Sequence, residues 1–565
     1  MAFPSDLDIA RGAALKPLED IASDMGIPSH LLEHYGEQVV KIKLDAIAEL
    51  AGRPAAKYVV VSAVTPTPLG EGKTTTTVGL GQAFRHIGKR ATVAVRQPSM
   101  GPTFGIKGGA AGGGYSQVVP MEVLNLHLTG DMHAVTAAHN LLAAMIDNHL
   151  FQGNDLGIDL HNITWRRVLD VNDRALRNIV IGLGGRGDGV PRQSGFDITA
   201  ASEVMATLAL AGSLADLRER LGRIVIGYTR DGTPVTAEQL QAAGSMAVML
   251  RDAVKPNLLQ TLENTPVLVH AGPFGNIATG NSSVIADLIG IHAGDYLVTE
   301  AGFGADMGAE RFFNIKCRTS GLVPDAAVIV ATVRALKAHS GKYKIVAGRP
   351  LPVELLAENP DDVAAGAANL RKQIANIALH GVPAVVAVNA FPTDHASEHQ
   401  VIRDIAAEEG ARAAVCTHFT DGGRGATELA EAVAEAAAGP SQFRFLYPDT
   451  ATLRDKIETV ATRVYGADGV EYSPQAAAQL ATYERAGFGH LPVCIAKTHL
   501  SISSNPALKG APTGWTLPVR EVRASAGAGF IYPICGDMRT MPGLNATPAA
   551  TRIDLDPDGL IIGLS

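Results

Sequence analysis

Short, nearly continuous apolar runs recur along the chain, separated by alanine-rich stretches of helical period. The runs include "YVVVSAV" (58–64), "ATVAV" (91–95), "NIVIGLGG", "RIVIGYT", "PVLVHAG", "DYLVTEAG", "AAVIVATV" and "PAVVAVNAF". A strand without polar alternation is buried on both faces, and intervening helices supply the cover. The pattern therefore predicts buried, largely parallel sheets. The helical stretches include 362–381 and 426–439, and residues 7–55, with "KIKLDAIAEL" among them, also read as helices. One unit carries more information than the rest. Strand 58–64 runs into a Gly/Pro-rich turn, then helix 74–88 ending at Gly88, then strand 91–95. The expected fold class is α/β, with a P-loop-containing nucleotide-binding core and additional mixed-sheet α/β domains. Boundaries near 295 and 417 give the segments 1–295, 296–417 and 418–565.

Composition narrows the function class. Hydrophobic residues make up 46% and charged residues 18%, as in a globular chain with large cores. The 60 glycines follow no G-x-y period, so they point to turns and close backbone approaches. The formal charge of -8 comes without a long basic block, which argues against a nucleic-acid surface. No apolar run reaches the length of a membrane span, and the N-terminus "MAFPSDLDIARG" lacks the pattern of a signal peptide. Four cysteines at 317, 416, 494 and 535 form no CxxC pair and no metal spacing. A cytoplasmic enzyme with reduced cysteines is expected.

The turn in the informative unit reads "TPTPLGEGKT" (65–74), close to the G-x-x-x-x-G-K-[ST] phosphate loop, with Thr67 in the place of the first glycine. Successive backbone N–H groups and a helix N-terminus can hold phosphoryl oxygens without side-chain bulk. Thr65, Pro66, Thr67, Pro68, Leu69, Gly70, Glu71, Gly72, Thr74 and Thr75 are thus candidates for binding ATP. Lys73 is the candidate charge for the transferred phosphoryl group, and Thr74 the candidate Mg²⁺ contact. A plain Gly/Pro turn before an amphipathic helix is the competing account. Arg96 ends the second strand on the same rim, where a guanidinium could clamp a carboxylate or phosphoryl group. Lys107 follows within the glycine-dense "GPTFGIKGGAAGGG" as a candidate substrate contact.

Further candidates are scattered. His127, Asp131, His133 and His139 lie in "NLHLTGDMHAVTAAHN", whose spacing is not that of a zinc site. His127 and His133 are candidate proton carriers, and structural roles fit them equally. Glu300 closes "DYLVTE" where an acid could hold Mg²⁺-bound water or substrate, and Asp306 could do likewise. Phe303, Phe391 and Phe419 sit beside turns where an aromatic face could meet a flat ligand. Asn389 opens "NAFPTD", which lacks the lysine and aspartate of a guanine-reading motif, leaving ATP as the expected nucleotide.

Jointly, "TPTPLGEGKTTTT", "RQPSMGPTFGIKGGAAGGGYSQV", "TGDMHAVTAAHNLLAAMIDNH", "GPFGNIATGNSS", "TEAGFGADMGAERFFNIKCR", "NAFPTD" and "SAGAGFIYPICGDMRTMPGL" resemble the formate–tetrahydrofolate ligase family over nearly the whole chain. The resemblance implies ATP-dependent ligation of formate to tetrahydrofolate through formyl phosphate, with Mg²⁺, in a homotetramer. It places Arg96 beside formyl phosphate in segment 1–295. It also puts Phe303, Phe391 and the 418–419 region at the folate site, which segment 296–417 helps to build, with Asn389 a further substrate-binding candidate. The chain departs from the family in four places. Phe419 replaces a tryptophan, Thr279 a common histidine, and His499-Leu500 part of a familiar "QYS". Gln97 stands where a glutamate is linked to monovalent-cation activation, so dependence on K⁺ stays open. Two other readings use the same loop: a nucleotide-switch ATPase that moves a partner, and a ligase for another acid and amine.

Overall fold

The computed structural model describes residues 3–107, 110–343, 345 and 350–564. Its centre is a mixed sheet of twelve strands: β1 (Leu32–His34), β2 (Val40–Ile42), β3 (Lys57–Ala63), β4 (Ala91–Val95), β5 (Gly112–Gly113), β6 (Ser116–Val119), β7 (Asn257–Thr261), β8 (Pro266–Val269), β9 (Tyr296–Glu300), β10 (Ala326–Ala331), β11 (Ala384–Asn389) and β12 (Arg412–Cys416). The main path runs β1-β2-β7-β8-β4-β9-β3-β10-β11-β12, with β6 pairing with β7 and β5 with β6. From β8 through β12 every neighbouring pair is parallel. The β1, β2 and β7 margin is antiparallel.

Strand β3 shows why its sequence reads as an unbroken apolar run. Val59, Val61 and Ala63 enter the core that holds Leu80 and Phe84 of helix α1 (Lys73–His86). Tyr58, Val60 and Val64 enter the core on the other face. Both faces of the pleat are thus covered, and no position along it favours a polar side chain. The sheet takes strands from both sides of position 295, so β3, which leads into loop 64–72, and β9 to β12 share one frame.

Two expectations need correction. The run at 178–185 is neither buried nor parallel, and the run at 223–229 is buried but antiparallel. Ile179–Ile181 forms an antiparallel pair with Arg192–Ser194, and Val225–Thr229 lies in a separate antiparallel three-stranded sheet. Val180 and Leu183 in the first run are 55% and 69% exposed, so apolar residues alone did not report burial there. "KIKLDAIAEL" is helical only over Asp45–Leu50, because Val40–Ile42 pairs into the sheet. Lys41 sits in that strand fully buried, its ammonium 2.9 and 3.0 Å from the two oxygens of Asp131. The alanine-rich 362–381 stretch forms two helices, Pro360–Ala365 and Ala367–Leu379, meeting at Gly366. A Cβ on Gly366 would lie 1.8 Å from the Leu336 carbonyl oxygen, so the close approach requires glycine.

The C-terminal part has its own core around Leu453, Ile457, Leu480 and Val522, under helix Pro474–Arg485 and the hairpin Glu521–Ser525/Phe530–Ile534. A buried Lys497–Asp306 ion pair of 2.8 Å links it to the segment just beyond β9.

Candidate active site

In an open parallel sheet, ligands bind outside the carboxyl ends of the strands. Most of the candidate residues sit along that edge. Arg96 follows β4, Glu300 ends β9 and Phe303 follows it. The loop 64–72 follows β3, Asn389 ends β11 with Phe391 beyond it, and Phe419 follows β12.

The loop is held from within and from both sides. The Glu71 carboxylate accepts from the Thr67 backbone N–H at 2.8 Å and from its hydroxyl at 3.0 Å. Thr67, in the place of the usual glycine, therefore ties the turn together. Gly70 and Gly72 have φ of +74° and +77°, a region other residues enter at a cost. Asn389 donates to the Glu71 carbonyl at 3.0 Å, and a Cβ on Gly72 would meet the Asn389 amide at 2.6 Å. At the base, Asn369 accepts from the Thr65 N–H at 3.0 Å and donates to its hydroxyl at 2.8 Å. Gln373 donates to both Thr65 Oγ1 (3.1 Å) and Asp306 Oδ1 (2.9 Å). Asp306 is 1% exposed, and its second oxygen meets Lys497. Buried His339 hydrogen-bonds the Thr65 carbonyl oxygen at 2.8 Å, and burial lowers its pKa to about 4.

Helix α1 starts at Lys73, which is half-buried, directly after left-handed Gly72. The Thr74 hydroxyl donates to Glu300 Oε2 at 2.8 Å. The other oxygen of Glu300 lies 3.5 Å from Arg96 Nε, and the Arg96 guanidinium also donates to the Pro273 carbonyl at 3.3 Å. Loop helix, strand-end acid and arginine thus meet in one cleft. Among the described residues no group of three or more His, Cys, Asp or Glu side chains could hold a metal by itself. The hydroxyl and carboxylate of Thr74 and Glu300 are hard oxygen donors that suit Mg²⁺ completed by phosphate oxygens and water.

The aromatic candidates are each anchored differently. Phe303 has φ of +62°, rare for a bulky residue and of the kind that collects at ligand sites. Its ring stacks on His499 at 4.5 Å and 17°, and a Cβ on Gly275 would lie 3.0 Å from it. Phe391 carries the Arg334 guanidinium over its face at 3.5 Å, and its N–H donates to Asp394 at 2.9 Å. Phe419 is 40% exposed and stacks on Phe3 at 5.4 Å. Preceding it, His418 is fully buried, 3.2 Å from the Thr76 hydroxyl of α1, with burial lowering its pKa to about 4.

His127 and His133 are exposed and touch each other, Nδ1 to Nε2, at 2.8 Å. Burial raises the pKa of Asp170, and hydrogen bonds from Ser99 Oγ at 2.6 Å and the Met100 N–H at 3.0 Å, with His133 nearby, oppose that rise. The pair therefore stands beside the loop after Arg96. The side chain of Lys107 lies outside the described residues. Gln97 is 3% exposed, and neither atom of its amide finds a hydrogen-bond partner.

The family model described as formate–tetrahydrofolate ligase matches residues 4–565. The chain belongs to the formate–tetrahydrofolate ligase family. It is 76% identical over 565 residues to a formate–tetrahydrofolate ligase of Saccharopolyspora erythraea, covering all of both chains. It is 72% identical over 570 residues to formate–tetrahydrofolate ligase 1 of Rubrobacter xylanophilus, covering 99% of each. The corresponding protein of Cutibacterium acnes is 65% identical over 560 residues, covering 99% of this chain and all of that one.

Within this ligase fold, sequence reasoning missed Arg334, Asn369, Gln373 and Lys497 around the cleft. Arg334 lies just past the apolar run "AAVIVATV", so a strand-end rule could have found it. Lys497 carries no such signal, because its partner is 191 residues away. No described helix is long and apolar enough to cross a membrane. A cavity of about 510 Å³ lies away from the cleft, between 158–166, 225–232 and the C-terminal hairpin. Its walls carry Arg523 against Glu521 at 2.7 Å and Arg166 against Asp197 at 3.9 Å, so their charges offset one another.

Proposed function

We propose that the chain joins formate to tetrahydrofolate at the expense of ATP, through formyl phosphate, giving 10-formyltetrahydrofolate, ADP and phosphate. The observation that carries this is the junction of Thr74, Glu300 and Arg96, with Thr74 to Glu300 at 2.8 Å and Glu300 to Arg96 at 3.5 Å.

Formate is a poor acylating agent because its leaving group would be oxide. Attack of a formate oxygen on the γ-phosphorus releases ADP and makes phosphate the later leaving group. Attack of the N10 amine on the formyl carbon then expels that phosphate. The turn at 71–73 and the N-terminus of α1 hold the phosphates, and Lys73 meets charge that grows on the transferred group. Arg96 faces the same group from β4 and orients the formyl phosphate. Thr74 and Glu300 would hold Mg²⁺, which supplies charge neutralisation at the phosphates. The cleft must also exclude water, since formyl phosphate hydrolyses readily.

Phe303, Phe391 and Phe419 are read as faces for the pterin and benzoyl rings, with Asn389 keeping β11 against the loop. Lys107 and Asp306 are retained as substrate-side residues, Asp306 acting through Gln373 and Thr65. His127 and His133 are retained as proton carriers near the loop after Arg96. The segments 1–295, 296–417 and 418–565 divide the work: loop and Arg96; Glu300, Phe303 and Phe391; and Phe419. Gln97 offers one neutral amide oxygen where the family resemblance implies a carboxylate, so a K⁺ ion would be held weakly. The chain is read as a cytoplasmic homotetramer, which sedimentation of the purified protein tests. The decisive assay supplies MgATP, formate, tetrahydrofolate and K⁺ and follows 10-formyltetrahydrofolate. Folded protein that makes none overturns the assignment.

A further inference from the structure

Arg334 is the second residue of helix Val333–His339, which follows β10 and is capped by the Thr332 hydroxyl on the Ala335 N–H at 3.0 Å. Strand β10 lies between β3 and β11, so Arg334 emerges between the phosphate loop and the turn carrying Phe391. Its guanidinium lies 3.5 Å from the centre of the Phe391 ring, and Nε is buried without a hydrogen-bond partner. Burial pulls its pKa below the usual value, and the charges of Asp394 and Glu71 oppose that pull. The same two acids hold what lies on either side. Asp394 accepts from the Phe391 N–H at 2.9 Å, and Glu71 accepts from Thr67 inside the loop at 2.8 Å. A desolvated cation placed flat on an aromatic face is held there by the ring quadrupole, and only a planar group makes that contact over its full face.

We propose that Arg334 is a positioning residue that fixes the ring of Phe391 for tetrahydrofolate. The inference rests on the ligase reading above and names a determinant of folate binding within it. Arg334 does not touch the reacting atoms. It sets the angle of the face on which the folate rings lie.

The test compares wild type, R334A, R334K, F391L and R334A/F391L, each checked for native circular dichroism. Wild-type turnover is measured first, and its absence would count against the ligase reading rather than against Arg334. With an active wild type, R334A should raise the KM for tetrahydrofolate about tenfold, the scale of a desolvated cation–π contact. The KM for MgATP and the synthesis of ATP from formyl phosphate and MgADP should stay within about threefold. R334K should recover less than half of the loss, because lysine keeps the charge and loses the planar stack. F391L should reproduce the R334A effect, and the double variant should be no worse than the poorer single one. An unchanged KM for tetrahydrofolate in R334A, full rescue by lysine, an additive double variant, or an effect confined to MgATP would each overturn the proposal.

Discussion

Replacing Asp306 by asparagine tests whether the C-terminal part is fastened to loop 64–72 by charge. Lys497 is fully buried, and its ammonium has the Asp306 oxygen at 2.8 Å and the Ser501 carbonyl at 2.8 Å. Asparagine keeps the shape and one acceptor, but it leaves a buried ammonium without its counter-charge. Breaking a buried pair from one side costs about 3–5 kcal/mol, and the retained acceptors place D306N near the lower end, about 3 kcal/mol. The sign of the pH dependence follows from burial, which lowers the Lys497 pKa, with Asp306 opposing that shift. Without Asp306 the folded-state value falls further below the unfolded one of about 10.4. The unfolded chain then binds more protons than the folded one, and stability rises with pH up to the unfolded value. The D306N deficit should therefore be larger at pH 7 than at about pH 9.5. Urea unfolding followed by the fluorescence of Trp165 and Trp515 measures both. Replacing the lysine as well, in K497M/D306N, removes the buried charge and should recover stability to within about 1 kcal/mol of wild type. A D306N variant within about 0.5 kcal/mol of wild type, or a deficit that grows with pH, would refute the reasoning.

Other outcomes follow from single residues. On the proposed role of its charge at the transferred phosphoryl group, K73A should fold normally and lose about 100-fold or more in kcat; turnover within about threefold of wild type would remove it from that role. Q97E restores a carboxylate at a buried amide that lacks hydrogen-bond partners, and should make activity depend more steeply on K⁺, read from rates across a KCl series at constant ionic strength. G366A forces a Cβ to within 1.8 Å of the Leu336 carbonyl oxygen, and should lower stability by about 1–3 kcal/mol in thermal unfolding.

How much of this was legible in the sequence depended on whether the signal was local. The strand–loop–helix unit was legible to within a residue or two, since 58–64 and 74–88 became Lys57–Ala63 and Lys73–His86. Continuous apolarity, strand-end glycines and a helix period all act over a few residues, and there they agreed. The run at 178–185 shows the limit of the same signal, since apolar β-branched residues are compatible with a small exposed hairpin as well as a buried sheet, and the run at 223–229 is buried but pairs antiparallel, which apolarity does not report. Lys41 shows the opposite failure. A lysine argues for a solvated position until its partner is known, and Asp131 comes 90 residues later. Asp306 depends on the same missing information. Sequence places an acid after a strand, and only the fold reveals that Gln373 and Lys497 engage its two oxygens. The site was most readable where one strand end carries one functional group, as for Arg96, Glu300 and Asn389. It was least readable where a group acts through another across the sheet edge. Arg334 belongs to that second kind: the pattern marks its place at a strand end, while its contact with Phe391 requires two neighbouring parallel strands, β10 and β11, to bring positions 334 and 391 face to face.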